Sequence, residues 1–127
     1  MTYRERLPPE CPPGESTEIG EPLVVFRLVC SNPPADNDFL SERELNPEQP
    51  FRVSECLARG LSVFLDLDDC RKVKKLPKFR GRPECRPCRI QLGPGAGKIL
   101  QTSIWSHHTW WPYAAYDVLK DCEVIDS

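Results

Sequence analysis

Residues 106–113 read SHHTWWPY and bring both histidines of the chain together with two of its three tryptophans. Adjacent imidazoles offer proton donors and acceptors near neutral pH, and indoles stack on planar rings, so this stretch suits acid–base work on a planar ligand. Arg27, inside the apolar run LVVFRLV, is the second candidate. A guanidinium in a central strand must be answered by a carboxylate, a group of carbonyls or an anionic ligand. Ser62, in GLSVFLD, holds a similar place in a second strand that leads into a capped helix. Arg27, Ser62 and Trp110 are thus expected to line a ligand cleft, with His107 and His108 supplying a donor or a base. A plainer account competes with it, in which Arg27 pairs with Glu55 or Asp66, Ser62 fills space and the aromatic run seals one end of a core.

Two further motifs invite chemistry. CRPC at 85–88 has the two-residue spacing of zinc knuckles and dithiol redox sites. A redox dithiol sits at a helix amino terminus, whereas here a strand-like RIQL follows, so Cys85 and Cys88 are zinc candidates, with one histidine as a third ligand. GPGAGK at 93–98 lacks the spacing of a phosphate loop, and Ile99 stands where a hydroxyl would hold magnesium. It reads as a turn between strands. The seven cysteines, odd in number and irregularly spaced, are expected to be mostly reduced core residues.

The elements that must position these residues are legible in outline. LVVFRLVC at 23–30 is β-branched and apolar on both alternating faces, which predicts a strand inside a sheet. DFLSERELN at 38–46 predicts a short helix, with Ser41 and Glu44 at capping-box spacing and Pro47 as the stop. SECLARG at 54–60 predicts a helical turn, and GLSVFLD at 60–66 a second strand. Asp66 caps a helix expected over 67–76, with Asp68 and Asp69 in its first turn and lysines in its last. CRIQL and KILQTSI flank the glycine turn as a hairpin or a wide turn. PYAAYDVLKD predicts a helix with Pro112 in its first turn, and CEVI at 122–125 a last strand. The fold class is α+β: one compact domain over 22–127 with a central mixed or antiparallel sheet and two to four short helices. Residues 1–21, rich in proline, glutamate and glycine, form an arm that is partly disordered or packed over the domain.

Charge is segregated along the chain. Residues 1–70 hold 6 basic and 14 acidic side chains, residues 71–89 hold 9 and 1, and the remainder 2 and 4, which together give the net −2. The block at 71–89 suits nucleic acid or an acidic protein surface; alternatively it faces the acidic half of its own chain. The longest apolar run, LVVF, is far short of the roughly 18 residues a spanning helix needs. With no secretory signal legible at the amino terminus either, no membrane is expected as a partner, and the expected location is the cytoplasm.

The phrases FRLVCSNPPADNDFLS, GLSVF and SHHTWW resemble those of a widespread set of small bacterial proteins. More distantly, an arginine on a first strand followed by a serine on a second strand that leads into a helix is similar to the order in ADP-ribosyltransferase-like folds. That resemblance implies NAD as cofactor, with Arg27 holding the dinucleotide and Ser62 supporting the nicotinamide-ribose pocket. It implies Glu123 as the acid that steadies the oxocarbenium, or a histidine of SHHTWW in its place. The expected function is therefore binding of NAD or another nucleotide, with transfer or hydrolysis as the associated activity. The alternative is a non-catalytic module that docks nucleic acid or an acidic protein through residues 71–89.

Overall fold

A computed structural model describes residues 2–125. It contains a seven-stranded sheet with three short α-helices. The strands are β1 (Thr17–Glu18), β2 (Leu23–Val29), β3 (Leu61–Phe64), β4 (Arg86–Leu92), β5 (Gly97–Gln101), β6 (His107–Pro112) and β7 (Cys122–Val124). Their order across the sheet is β1-β5-β6-β3-β2-β4-β7, and every pairing is antiparallel. The fold is thus mostly β with some helix, and its sheet is antiparallel rather than mixed.

The run that reads as an inner strand is one. β2 pairs along its whole length with β4, from Leu23↔Leu92 to Val29↔Arg86. Its alternate residues Val25 and Val29 join Ile90, Leu92, Val63 and Trp110 in a core on one face of the sheet, while Leu28 and Phe64 pack on the other face with Cys70. Both outermost strands are very short, two residues in β1 and three in β7, so little unpaired ladder faces outward.

The helices form where their caps stand. Ser41 accepts from the Glu44 N–H and the Glu44 carboxylate accepts from the Ser41 N–H, starting α1 (Glu42–Leu45). Ser54 caps α2 (Glu55–Ala58). Asp66 accepts from the N–H groups of Asp68 and Asp69 and starts α3 (Leu67–Lys72), which tightens into a 3-10 turn over Val73–Lys75.

Several expectations need correction. The strands flanking the glycine turn do not pair with each other: β4 lies between β2 and β7, and β5 lies between β1 and β6. Residues 107–111, for which no element is expected, form with Pro112 a strand inside the sheet. Its Pro112 ends β6 instead of opening a helix, and only a 3-10 turn, Val118–Asp121, precedes β7. The arm, expected to be partly disordered or packed over the domain, packs on it. Thr17 and Glu18 pair with β5, Ile19 is buried, Tyr3 bridges to Tyr113, and the Arg6 carbonyl accepts from Arg59.

Four cysteines are not reduced. Cys11 is joined to Cys56 and Cys30 to Cys85, while Cys70, Cys88 and Cys122 are free thiols. The partners are 45 and 55 residues apart in sequence, a distance over which local pattern carries no signal. The first bridge ties the arm to α2. The second ties the end of β2 to the start of β4.

Candidate functional site

The pairing of β2 with β3 is confined to Phe26↔Phe64. Next to it the side chain of Arg27 takes the place of a ladder. Its Nη1 donates to the Ser62 carbonyl at 2.8 Å, Nε to the Asp38 carbonyl at 3.0 Å and Nη2 to the Leu40 carbonyl at 3.3 Å. The last two come from the segment between β2 and α1. That segment is held in turn by the Asp38 carboxylate, which accepts from the N–H groups of Cys30 at 2.7 Å and Ala35 at 3.0 Å.

The charge on Arg27 is answered by carbonyl dipoles. Neither expected acid reaches it, since Glu55 binds Arg43 and Arg59 and Asp66 caps α3. Burial lowers the Arg27 pKa to about 10, with the fields of Glu42 and Asp38 acting in the opposite direction, so the group stays cationic at neutral pH. Glu42 itself is paired with Lys78 at 2.5 Å. Three of the five guanidinium N–H donors are used.

Arg27 lines a cleft of about 220 Å³ together with Ser62 and His107. The cleft is lined by apolar Leu28, Leu40, Phe64, Val73, Leu76 and Phe79 and by Ser41, Glu42, Gly60 and Lys78. Ser62 is exposed there, and its hydroxyl lies 3.0 Å from Nε2 of His107. Nδ1 of His107 lies 3.1 Å from the Thr102 hydroxyl, which lies 2.7 Å from the Thr109 hydroxyl. The His107 pKa is lowered, first by burial and then by His108, so the imidazole is neutral at pH 7 and has a free lone pair for one proton.

Sheet alternation explains which residues meet. Ser62 is opposite Thr109, and Phe64 is opposite His107, so these four share one face of β3 and β6. Gly60 makes room for this row, because a Cβ there would collide with Cγ2 of Thr109. His108 and Trp110 fall on the other face. The Nδ1–H of His108 donates to the Ser106 carbonyl at 2.8 Å, and His108 does not line the cleft. Trp110 is fully buried in the core and donates to the Ala96 carbonyl, so it is not available to stack on a ligand.

Glu123 lies on β7, opposite Arg89 of β4 and three strands away from β3. The structure brings Arg27, Ser62 and His107 together and leaves His108, Trp110 and Glu123 outside. The zinc expectation for Cys85 and Cys88 is corrected as well: the Cys85 sulfur is bonded to Cys30 and cannot act as a thiolate ligand. Among the described residues no group of three or more His, Cys, Asp or Glu side chains is placed to hold a metal.

Thr102, Thr109, Gly60 and Lys78 are not among the expected site residues, although Gly60 and Thr102 fall in the runs GLSVFLD and KILQTSI that read as strands. A strand assignment for 107–112 would have flagged Thr109, two residues from His107 and therefore on the same face. Four of the nine basic side chains at 71–89 have acidic partners in the same chain. Arg71 pairs with Asp68, Lys72 with Asp69, Lys78 with Glu42 and Arg82 with Glu84. No helix among the described residues is long and apolar enough to cross a membrane. Comparison of the chain with protein-family models, curated proteins and solved structures finds no match.

Proposed function

We propose that the cleft at Arg27, Ser62 and His107 binds an anionic, nucleotide-type ligand, with NAD or ADP-ribose as the first candidates. The observation that carries this reading is the guanidinium of Arg27, which is cationic, held by three carbonyls and without a carboxylate partner among the described residues. Carbonyl dipoles satisfy its geometry but leave its charge in place, and a phosphate oxygen answers both. The apolar lining of Phe64, Val73, Leu76 and Phe79 suits the base or the sugar, so polar and apolar halves of one nucleotide each find their surface.

The basic segment 71–89 supports the alternative, a nucleic-acid or acidic-protein interface, less well, because four of its cations already have acidic partners. Cytoplasmic residence is also less well supported, since two disulfides persist most readily in an oxidising compartment.

A thermal-shift titration tests the nucleotide reading. Millimolar NAD or ADP-ribose should raise Tm by several degrees, as expected when ligand exceeds Kd by about a hundredfold. Arg27→Lys, which keeps the charge but loses the planar fork, should abolish the rise. Absence of any shift with the wild-type chain removes the proposal. Should nucleic acid bind instead, with affinity falling steeply between low and high salt, the alternative takes its place.

A further inference from the structure

We propose that Ser62 is a nucleophile, that His107 is its general base, and that the bond they break is a P–O bond of a phosphodiester held at Arg27. The substrate class rests on the nucleotide reading above. The nucleophile rests on other atoms.

The hydroxyl of Ser62 is 3.0 Å from an imidazole nitrogen, within the reach that direct proton transfer requires. The far nitrogen of that imidazole is fixed by Thr102, and Thr102 by Thr109, so the base is oriented by a row of hydroxyls. In the attacking form, Nδ1–H donates to Thr102 and Nε2 accepts from Ser62. Thr102 is a positioning residue: it touches His107 and does not line the cleft. Ser62 is exposed in a strand whose other three residues, Leu61, Val63 and Phe64, are buried, and it lines the same cleft as the guanidinium. Packing alone does not account for a hydroxyl in that place.

Charge selects the ester. Lys78 is paired with Glu42, which leaves Arg27 as the cation lining the cleft that has no carboxylate in direct contact among the described residues. A phosphodiester carries one negative charge on its phosphorus, as does each phosphorus in the diphosphate bridge of NAD or ADP-ribose, and one such group matches Arg27, whereas a phosphomonoester dianion puts two charges on one phosphorus.

The steps balance without any further reactant except water. Ser62 Oγ forms a bond to phosphorus as the bond to the leaving alcohol oxygen breaks. The Ser62 proton passes to His107 Nε2 and then to that leaving oxygen. A water oxygen next forms a bond to phosphorus while the Ser62 Oγ–P bond breaks. His107 takes the water proton and returns it to Ser62. The sum is diester plus water giving monoester plus alcohol.

An alkyl fluorophosphonate probes the nucleophile directly, since Oγ–P forms, P–F breaks, fluoride leaves and the proton goes through His107 to solvent. Mass mapping should find one phosphonyl group per chain, on Ser62. Ser62→Ala should carry none, and His107→Gln should label at least 100-fold more slowly. Bis(p-nitrophenyl) phosphate should be cut once, with p-nitrophenyl phosphate accumulating and Ser62→Ala inactive. A folded wild-type chain, judged by circular dichroism and Tm, that takes no label overturns the nucleophile. Hydrolysis of p-nitrophenyl acetate without the diester overturns the substrate class. The two proposals fail separately: a Tm shift with ADP-ribose but no label leaves binding without chemistry, and a label without a shift leaves a nucleophile whose ligand is not a nucleotide.

Discussion

Two arginines organise two sides of this domain, and they are satisfied in opposite ways. Arg43 meets the Glu55 carboxylate with Nε at 2.7 Å and Nη2 at 2.9 Å, sends Nη1 to the carbonyls of Asn46, Pro47 and Gln49, and lies over the Phe51 ring. Arg27 donates its hydrogen bonds to carbonyls only, lies 6.0 Å from the centre of the Phe39 ring and lines a cleft. Arg43 makes five hydrogen bonds and Arg27 three, so both guanidinium groups are held in place. The separation lies in whether the net charge is cancelled, because dipoles orient a cation without neutralising it. Each side also has its own disulfide: Cys56 follows Glu55 in α2, and Cys30 ends the segment that begins at Arg27 and gives its N–H to Asp38.

The largest effects come from those bridges. Closing loops with separations of 45 and 55 residues corresponds to about 4 kcal/mol each in the chain-entropy description. The double variants Cys11→Ser with Cys56→Ser, and Cys30→Ser with Cys85→Ser, should therefore show similar losses in denaturant melts. Only the second should also weaken nucleotide binding, because it loosens the segment whose carbonyls hold Arg27. Equal loss of binding in both would erase the distinction between the two sides.

Next in size, Arg27→Met leaves the carbonyls of Ser62, Asp38 and Leu40 without their donors. We expect a loss of about 2–4 kcal/mol in urea melts together with loss of the nucleotide-induced Tm shift. Arg43→Met should lower Tm by less and keep that shift, since Glu55 retains Arg59 at 2.8 Å.

The smallest effect sharpens the comparison through pH. Hydrogen bonds from Arg43 and then Arg59 hold the Glu55 carboxyl down at about 2, from an ordinary 4.5. A carboxyl with a depressed pKa contributes stability that is complete above its unfolded value and disappears as pH falls through the folded one. The Arg43 side should thus lose stability between about pH 4.5 and 2, and Glu55→Gln should flatten that part of the Tm profile. The three groups that accept hydrogen bonds from Arg27 are carbonyls, which do not titrate.

Much of the framework was legible because its causes are local. The Asp66 cap, the Ser41 and Glu44 capping box and the inner strand LVVFRLV lie within a few residues of what they control. Arg27 was legible as a problem, since a cation among valines and leucines demands an answer whatever the fold. Its answer was not, and Glu55 and Asp66 were the wrong partners because each is committed elsewhere. The histidine phrase misled in another way. No element is expected for it, yet residues 107–112 run inside the sheet, where alternation sends His107 to Ser62 and His108 to the opposite face.

From the residues alone came the caps, the inner strands, the absence of a long apolar run and the need to compensate one guanidinium. Tertiary structure alone decided the strand order, the two disulfide pairings, the carbonyls that hold Arg27 and the hydroxyl row behind His107. The physical reason is range. Backbone propensity and capping act over one turn or one strand, whereas Ser62 and His107 stand 45 residues apart, and only their pairing across β3 and β6 makes them neighbours.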